Sequence, residues 1–226
     1  AADFSSLETE GEYTISLSDA ESYSFKICDT VYNQVCFSTL RYFYLSRCGQ
    51  KIEDPVFGHQ ACHATPADIY GEPGKSKLVL GGWHDAGDYG RYVVAGTKTV
   101  MDLLLAYQSS EKVRNLGFDI LDEARFELDW LLQMQREDGA VYHKISCYHF
   151  CGFIEPQHEK EKLVLAPVAT TATADFAGCL AYASTIYKDF DSSYADTLLA
   201  AAKKAQNYLD THQDEIYKNP KEITTG

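Results

Sequence analysis

The chain of 226 residues is long enough to bury one large core, and its 20 lysines and arginines against 33 aspartates and glutamates leave a net charge of −13. That balance excludes a nucleic-acid binder, because nothing offsets phosphate repulsion, and suits a neutral ligand on an acidic, soluble surface. No run reaches the roughly 18–20 apolar residues of a membrane span, and the opening "AADFSSLETEGEY" lacks the basic and apolar regions of a signal peptide, as a secreted chain that has lost its signal would.

Residues 11–17, "GEYTISL", alternate polar and apolar and predict a β-strand. Nearly everything after residue 25 reads as helix or long loop, so this strand has no visible partner. Residues 1–22 are therefore expected to be the last strand of an upstream β domain plus a linker. A helix is predicted from Ile27 to Arg47, with Val31, Val35, Leu40, Phe43 and Tyr44 near one face. Residues 48–90 follow as a long irregular segment holding Pro55, Pro66, Pro73 and Gly74; loops of that length are usually functional or pinned.

The segment "RYVVAGTKTVMDLLLAY" (91–107) is apolar around most of its circumference. In contrast, residues 118–135 place Phe118, Leu121, Ala124, Leu128 and Leu131 on one stripe, with acids and arginine opposite. The pair repeats. Residues 172–187 are apolar nearly all round, and 192–211 align Tyr194, Leu198, Ala201, Ala205 and Tyr208, with an N-cap in the Asp191-Ser192-Ser193 run. Helices apolar all round are buried, whereas striped ones face water on one side. Their alternation predicts inner and outer layers of helical hairpins, the composition of an α/α barrel or toroid. Five or so helices do not close such a ring, and the chain is expected to be part of one.

The seven cysteines (Cys28, Cys36, Cys48, Cys62, Cys147, Cys151 and Cys179) are odd in number, so at least one is unpaired or several bind metal. Cys48, Cys62, His63 and His84 offer two thiolates and two imidazoles, a closed tetrahedral zinc set. The alternatives are a buried free thiol or a Cys48–Cys62 disulfide. Cys147 and Cys151 bracket "YHF" and, with His149, mimic a second metal motif. His59, His158 and His212 read as solvated loop or helix-end residues.

The densest chemistry lies in "GGWHDAGDYGRY", residues 81–92. Asp85 and Asp88, separated by Gly87, can aim at one point if the loop turns at the glycine, and two carboxylates that share a water can orient and deprotonate it. A plain turn or a calcium-loop fragment is the other reading of "DxGD". Trp83, Tyr89 and Tyr92 favour a sugar site, because aromatic faces stack on the C–H faces of pyranose rings.

The chain resembles glycoside hydrolase family 9, in the cellulase branch whose catalytic domain follows an immunoglobulin-like domain. "SYSFKICDTVYNQVCFSTLRYFYLSRCG", "ACHATPAD", "GGWHDAGDYGRYVVAG", "LDWLLQMQREDGAVYHKI" and "PVATTATADFAGCLAYAS" carry the resemblance, in the family's order. It implies an all-α fold, part of an (α/α)6 barrel spanning residues 23–226, preceded by the residual immunoglobulin-like strand. It further implies inverting hydrolysis of β-1,4-glucosidic bonds in cellulose or related glucans. Asp88 matches the family's base and Asp85 the residue that helps hold the attacking water. Cys48, Cys62, His63 and His84 match the branch's structural zinc ligands. Tyr142 and His143, in "VYHKI", match a segment near the substrate cleft and join Trp83 and Tyr89 as substrate contacts; Trp130 reads as core. Calcium is common in the family, but its ligands are not assignable here.

An inverting glycosidase needs a second carboxyl about 6.5–9.5 Å from the first. The family's catalytic acid is a glutamate beyond residue 226, so the chain is expected to be an internal portion of a larger enzyme, or to need a second chain carrying the rest of the barrel. A non-catalytic glucan-binding or scaffold piece, and an exo-acting cellodextrinase or glucosaminidase, are the alternatives.

Overall fold

The computed structural model describes residues 3–225. Strand β1 (Gly11–Tyr13) pairs antiparallel with β2 (Phe25–Ile27), Gly11 opposite Ile27. The strand expected to be alone thus has a partner, which lies beyond the expected boundary at residue 22. Aromatic packing ties the two together: the Phe25 ring lies 5.1 Å from Phe4 and 6.3 Å from Tyr13.

Helix α1 (Asn33–Leu45) starts later than the sequence pattern predicts. Of its expected apolar face only Leu40 is buried, while Val35 is 63% exposed. Leu40 joins the main core, and Phe43 packs inward 5.0 Å from the ring of Trp83.

The remaining helices follow the predicted pattern more closely. They are α2 (Val93–Ser109), the single turn α3 (Glu111–Arg114), α4 (Ile120–Met134), α5 (Thr170–Tyr187) and α6 (Ser192–Thr211). Asp191 caps α6 by accepting from the Tyr194 N–H, and Asp119 caps α4 by accepting from that of Asp122. The main helices pack in a row, α4–α2–α5–α6. The two all-round apolar helices occupy its middle and the two striped ones its flanks. Tyr194, Leu198, Ala201, Ala205 and Tyr208 are all buried, as the stripe on α6 predicts.

Short strands accompany the expected helices. Five short strands, β3 (Ala67–Ile69), β4 (Ser76–Lys77), β5 (Arg91–Tyr92), β6 (Lys144–Cys147) and β7 (Leu163–Leu165), form one sheet in the order β4-β3-β7-β6-β5. Only β3 and β7 run parallel. Pairings such as Tyr92 with Lys144 and Ser146 with Val164 join segments far apart in sequence. The sheet gathers the loops that enter and leave the helices at one end of the row. No strand exceeds four residues, too few for alternation to register as a pattern.

The α4 stripe also needs correction on its polar side. Glu123 and Glu127 are each 1% exposed, facing inward beside Trp130 rather than outward with the other acids. Their partners lie in the loop that carries the two aspartates.

Candidate active site

The loop 81–92 is anchored before it reaches the aspartates. Arg47 and Trp83 form an antiparallel bridge, with Cys48 N–H donating to the Gly82 carbonyl at 2.9 Å and His84 N–H to the Ser46 carbonyl at 2.8 Å. Gly82 sits at φ +80°, and a Cβ there would come within 2.7 Å of the Trp130 ring. The backbone can lie this close to α4 only without a side chain. The Trp83 indole N–H donates to Glu123 at 2.7 Å and its backbone N–H to Glu127 at 2.8 Å. Arg47 completes the arrangement, its Nη2 2.9 Å from Glu123. Removing one member of such a buried ion pair typically costs about 3–5 kcal/mol.

This packing sets Trp83, one of the expected substrate contacts, mostly behind the loop. The residue is 7% exposed, packed at a 43° tilt against Phe43, and both its N–H groups are committed inward. It positions the loop.

Cys48, Cys62, His63 and His84 come together: one donor atom from each lies within 4.8 Å of all the others. The cysteines are unbridged, so the disulfide alternative is not the one adopted. Two thiols and two imidazoles match a tetrahedral zinc donor set. Both ring nitrogens of His63 are buried without a hydrogen-bond partner, which suits a ligand position. His63 is also the one non-glycine among the described residues with a left-handed backbone, φ 49°. The neighbouring Cys48 first, then the His63 and His84 imidazoles, hold the Cys62 thiol below its usual range, whereas burial pushes Cys48 up. Burial lowers His84, keeping its imidazole neutral and able to coordinate. Arg91, 1% exposed, adds positive charge beside Cys48.

Directly after His84 the chain turns outward. Asp85 is exposed, with its N–H on the Gly90 carbonyl at 2.9 Å, and Gly87 takes φ +87° at the turn. Asp88 is buried to 8% exposure. Its Oδ1 accepts from Gly90 N–H at 2.6 Å and its Oδ2 from the Tyr92 hydroxyl at 2.8 Å. Tyr92 is itself held by the ladder to Lys144, whose ammonium lies 5.3 Å from the tyrosine ring and donates to the Thr225 carbonyl. Burial lowers Lys144 to about 8, and the Asp88 carboxylate opposes that shift.

Asp85 and Asp88 both line one cleft of about 460 Å³, with Tyr89, Phe57, His59 and Ile154 among its other walls. Tyr89 reaches across it to donate to the Ile154 carbonyl. His59, expected to be solvated, is 8% exposed and is held by its bridge to Ile52. It is a wall residue that no sequence motif marked.

Tyr142 and His143, also expected as substrate contacts, lie outside the lining of this cleft. Tyr142 is 7% exposed, with Lys77 over its ring at 6.0 Å. The His143 ring stacks on Tyr217 at 3.7 Å, and its backbone is bonded on both sides, to Pro167 and Val93. The strand pairing around β6 turns them aside.

Relatives of this chain are found along its whole length. It belongs to glycosyl hydrolase family 9, whose family model matches residues 32–226. Among curated relatives, a cellodextrinase of Butyrivibrio fibrisolvens is 38% identical over 242 residues, covering 100% of this chain and 44% of that protein. Endoglucanase D of Acetivibrio thermocellus is 34% identical over 246 residues, covering 100% and 39%. Among solved structures, AaCel9A in complex with cellobiose-like isofagomine matches at a TM-score of 0.91 and 33% identity, covering 100% of this chain and 46% of that one. The chain thus spans less than half the length of each of these relatives.

Proposed function

We propose that this chain supplies the water-activating half of an inverting β-1,4-glucan hydrolase. The observation that carries the reading is the placement of Asp85 and Asp88 on one cleft wall, with Asp88 gripped by two donors. A buried carboxylate held by Gly90 N–H and the Tyr92 hydroxyl keeps a fixed direction, as a general base must, and Asp85 helps hold the attacking water. The catalytic acid, a glutamate, is contributed from outside residues 1–226, and the helical row is part of an (α/α)6 barrel. Residues 1–22 belong with an immunoglobulin-like domain and 23–226 with the catalytic domain of a secreted enzyme. Cys48, Cys62, His63 and His84 are the zinc ligands, and the metal's role there is to bind the end of α1 to the loop 81–92.

The relatives' names leave two substrate classes, polymeric glucan and short cellodextrins. Proton NMR of the first product formed by the full-length protein tests the mechanism. An initial α-anomer from a β-linked cellodextrin agrees with inversion, and an initial β-anomer overturns it. Product profiles on cellulose, mixed-linkage glucan, cellodextrins and chitosan oligomers separate endo- from exo-action.

A further inference from the structure

The wall of the cleft facing the aspartates is formed by the segment between β6 and β7, which contributes Cys151, Phe153, Ile154 and Pro156. At its base Cys147 Sγ, one oxygen of Glu159 and one of Glu161 lie within 4.8 Å of one another. Cys147 is 7% exposed and donates weakly to the Glu161 carbonyl at 3.6 Å. Four residues on, Cys151 Sγ donates to the Gly152 carbonyl at 3.3 Å, and the nearby Glu159 carboxylate raises its pKa. His149 holds Glu161 through its backbone N–H at 3.0 Å and through its ring.

The charge here is one-sided. Lys162, the adjacent cation, is drawn away to Asp68 at 2.7 Å, and the ion-pair partner of Glu161 is the histidine. Burial, reinforced by Glu159 and Glu161, pushes the Cys147 thiol up to about 12. Burial and the Glu159 carboxylate push Cys151 up to about 11. Thiols held protonated against carboxylates become thiolates when a divalent cation takes the proton's place.

We propose that Cys147, Cys151, Glu159 and Glu161 form a second metal site, for a thiophilic divalent cation of the zinc type. Two sulfur and two oxygen donors fit a four-coordinate zinc, whereas calcium and magnesium take oxygen donors. His149 on Glu161 is the outer partner that ligating carboxylates commonly have. The ligands lie on both ends of the segment 148–162, so the bound cation closes that loop and stiffens the wall opposite Asp88. The site does not rest on the hydrolase reading, because metal content is measured without substrate.

Metal analysis and native mass spectrometry of the full-length protein, dialysed against zinc and then against metal-free buffer, read the site directly. The double variant Cys147→Ala/Glu159→Gln is expected to hold one zinc fewer than the wild type, and Cys179→Ala, altered in the α5 core, the same number. Equal zinc in the wild type and the double variant overturns the proposal. Peptide-mapped alkylation of the unmutated protein needs no variant to fold. Cys151 is expected to be shielded with zinc bound and labelled at least ~10-fold faster after chelation, while buried Cys179 stays unlabelled. Labelling of Cys151 at the same rate in both states, or only in step with Cys179, also overturns it. So does a Cys147–Cys151 disulfide in the zinc-treated protein.

Discussion

Cys62 Sγ lies 3.4 Å from His84 Nε2, and the residue after His84 is Asp85 on the cleft wall. The putting together of metal-type donors and catalytic-type carboxylates on consecutive residues means that the first cluster governs the pose of the second. The backbone bonds from Cys48 to Gly82 and from His84 to Ser46 brace the same junction.

Cys62→Ser is accordingly expected to lose one zinc equivalent and to lower thermal stability and activity together. At this chain length each kcal/mol lost lowers Tm by roughly 2–4 °C, and loss of a structural metal costs several kcal/mol. Calorimetry with metal analysis checks this. An unchanged zinc count removes the assignment.

Asp88→Ala in the full-length protein is expected to lose about 10²–10⁴ in kcat, the usual contribution of a positioned general base, with little change in substrate affinity. Asp85→Ala loses less, because a displaced water can still be deprotonated by Asp88. Tyr92→Phe removes one of the two donors on Asp88 and should fall between wild type and Asp88→Ala. Near-normal turnover of Asp88→Ala contradicts the assignment.

His143 carries a pH signature. Burial, with Lys144 beside it, lowers its pKa to about 4, against about 6.5 for a free histidine. The folded state therefore binds fewer protons than the unfolded one between those values, and stability rises with pH across that window. The contribution is complete above about 6.5 and is lost as pH falls toward 4. A His143→Phe variant, which keeps a ring for Tyr217, should show a flatter Tm profile from pH 4 to 6.5. Parallel profiles refute the assignment.

Glu127 works in the opposite sense. Burial raises it from 4.5 to about 8 despite the Trp83 N–H it accepts. The folded state holds the proton that the unfolded state has lost, so stability is full below about 4.5 and falls as pH rises through about 8. Glu127→Gln keeps an acceptor for Trp83 without a charge. Its Tm should gain on the wild type progressively between pH 5 and 9, and a constant difference across that range contradicts the protonated state.

Much of this organisation was legible along the chain. The stripe on α6 predicted its buried face, because 3.6-residue periodicity directly reports how many faces a helix buries. The metal-type donors and the aspartate pair were legible as residue types. The face of α1 was misread in that Leu40 is buried while Val31 and Val35 stay exposed.

What the sequence determined by itself was the chemical inventory: two acids around a glycine turn, four thiol and imidazole donors, and helices alternating between one and several apolar faces. Only the tertiary structure decided which of these residues meet. Strands of two to four residues carry no periodic signal, yet their pairing draws Tyr92 under Asp88 and turns Tyr142 and His143 away from the cleft. It also buried Glu123 and Glu127, because the N–H groups of Trp83 waited for them across a gap of 40 and 44 residues. Contacts between distant segments follow from hydrogen-bond satisfaction in three dimensions, and that constraint leaves no local pattern to read.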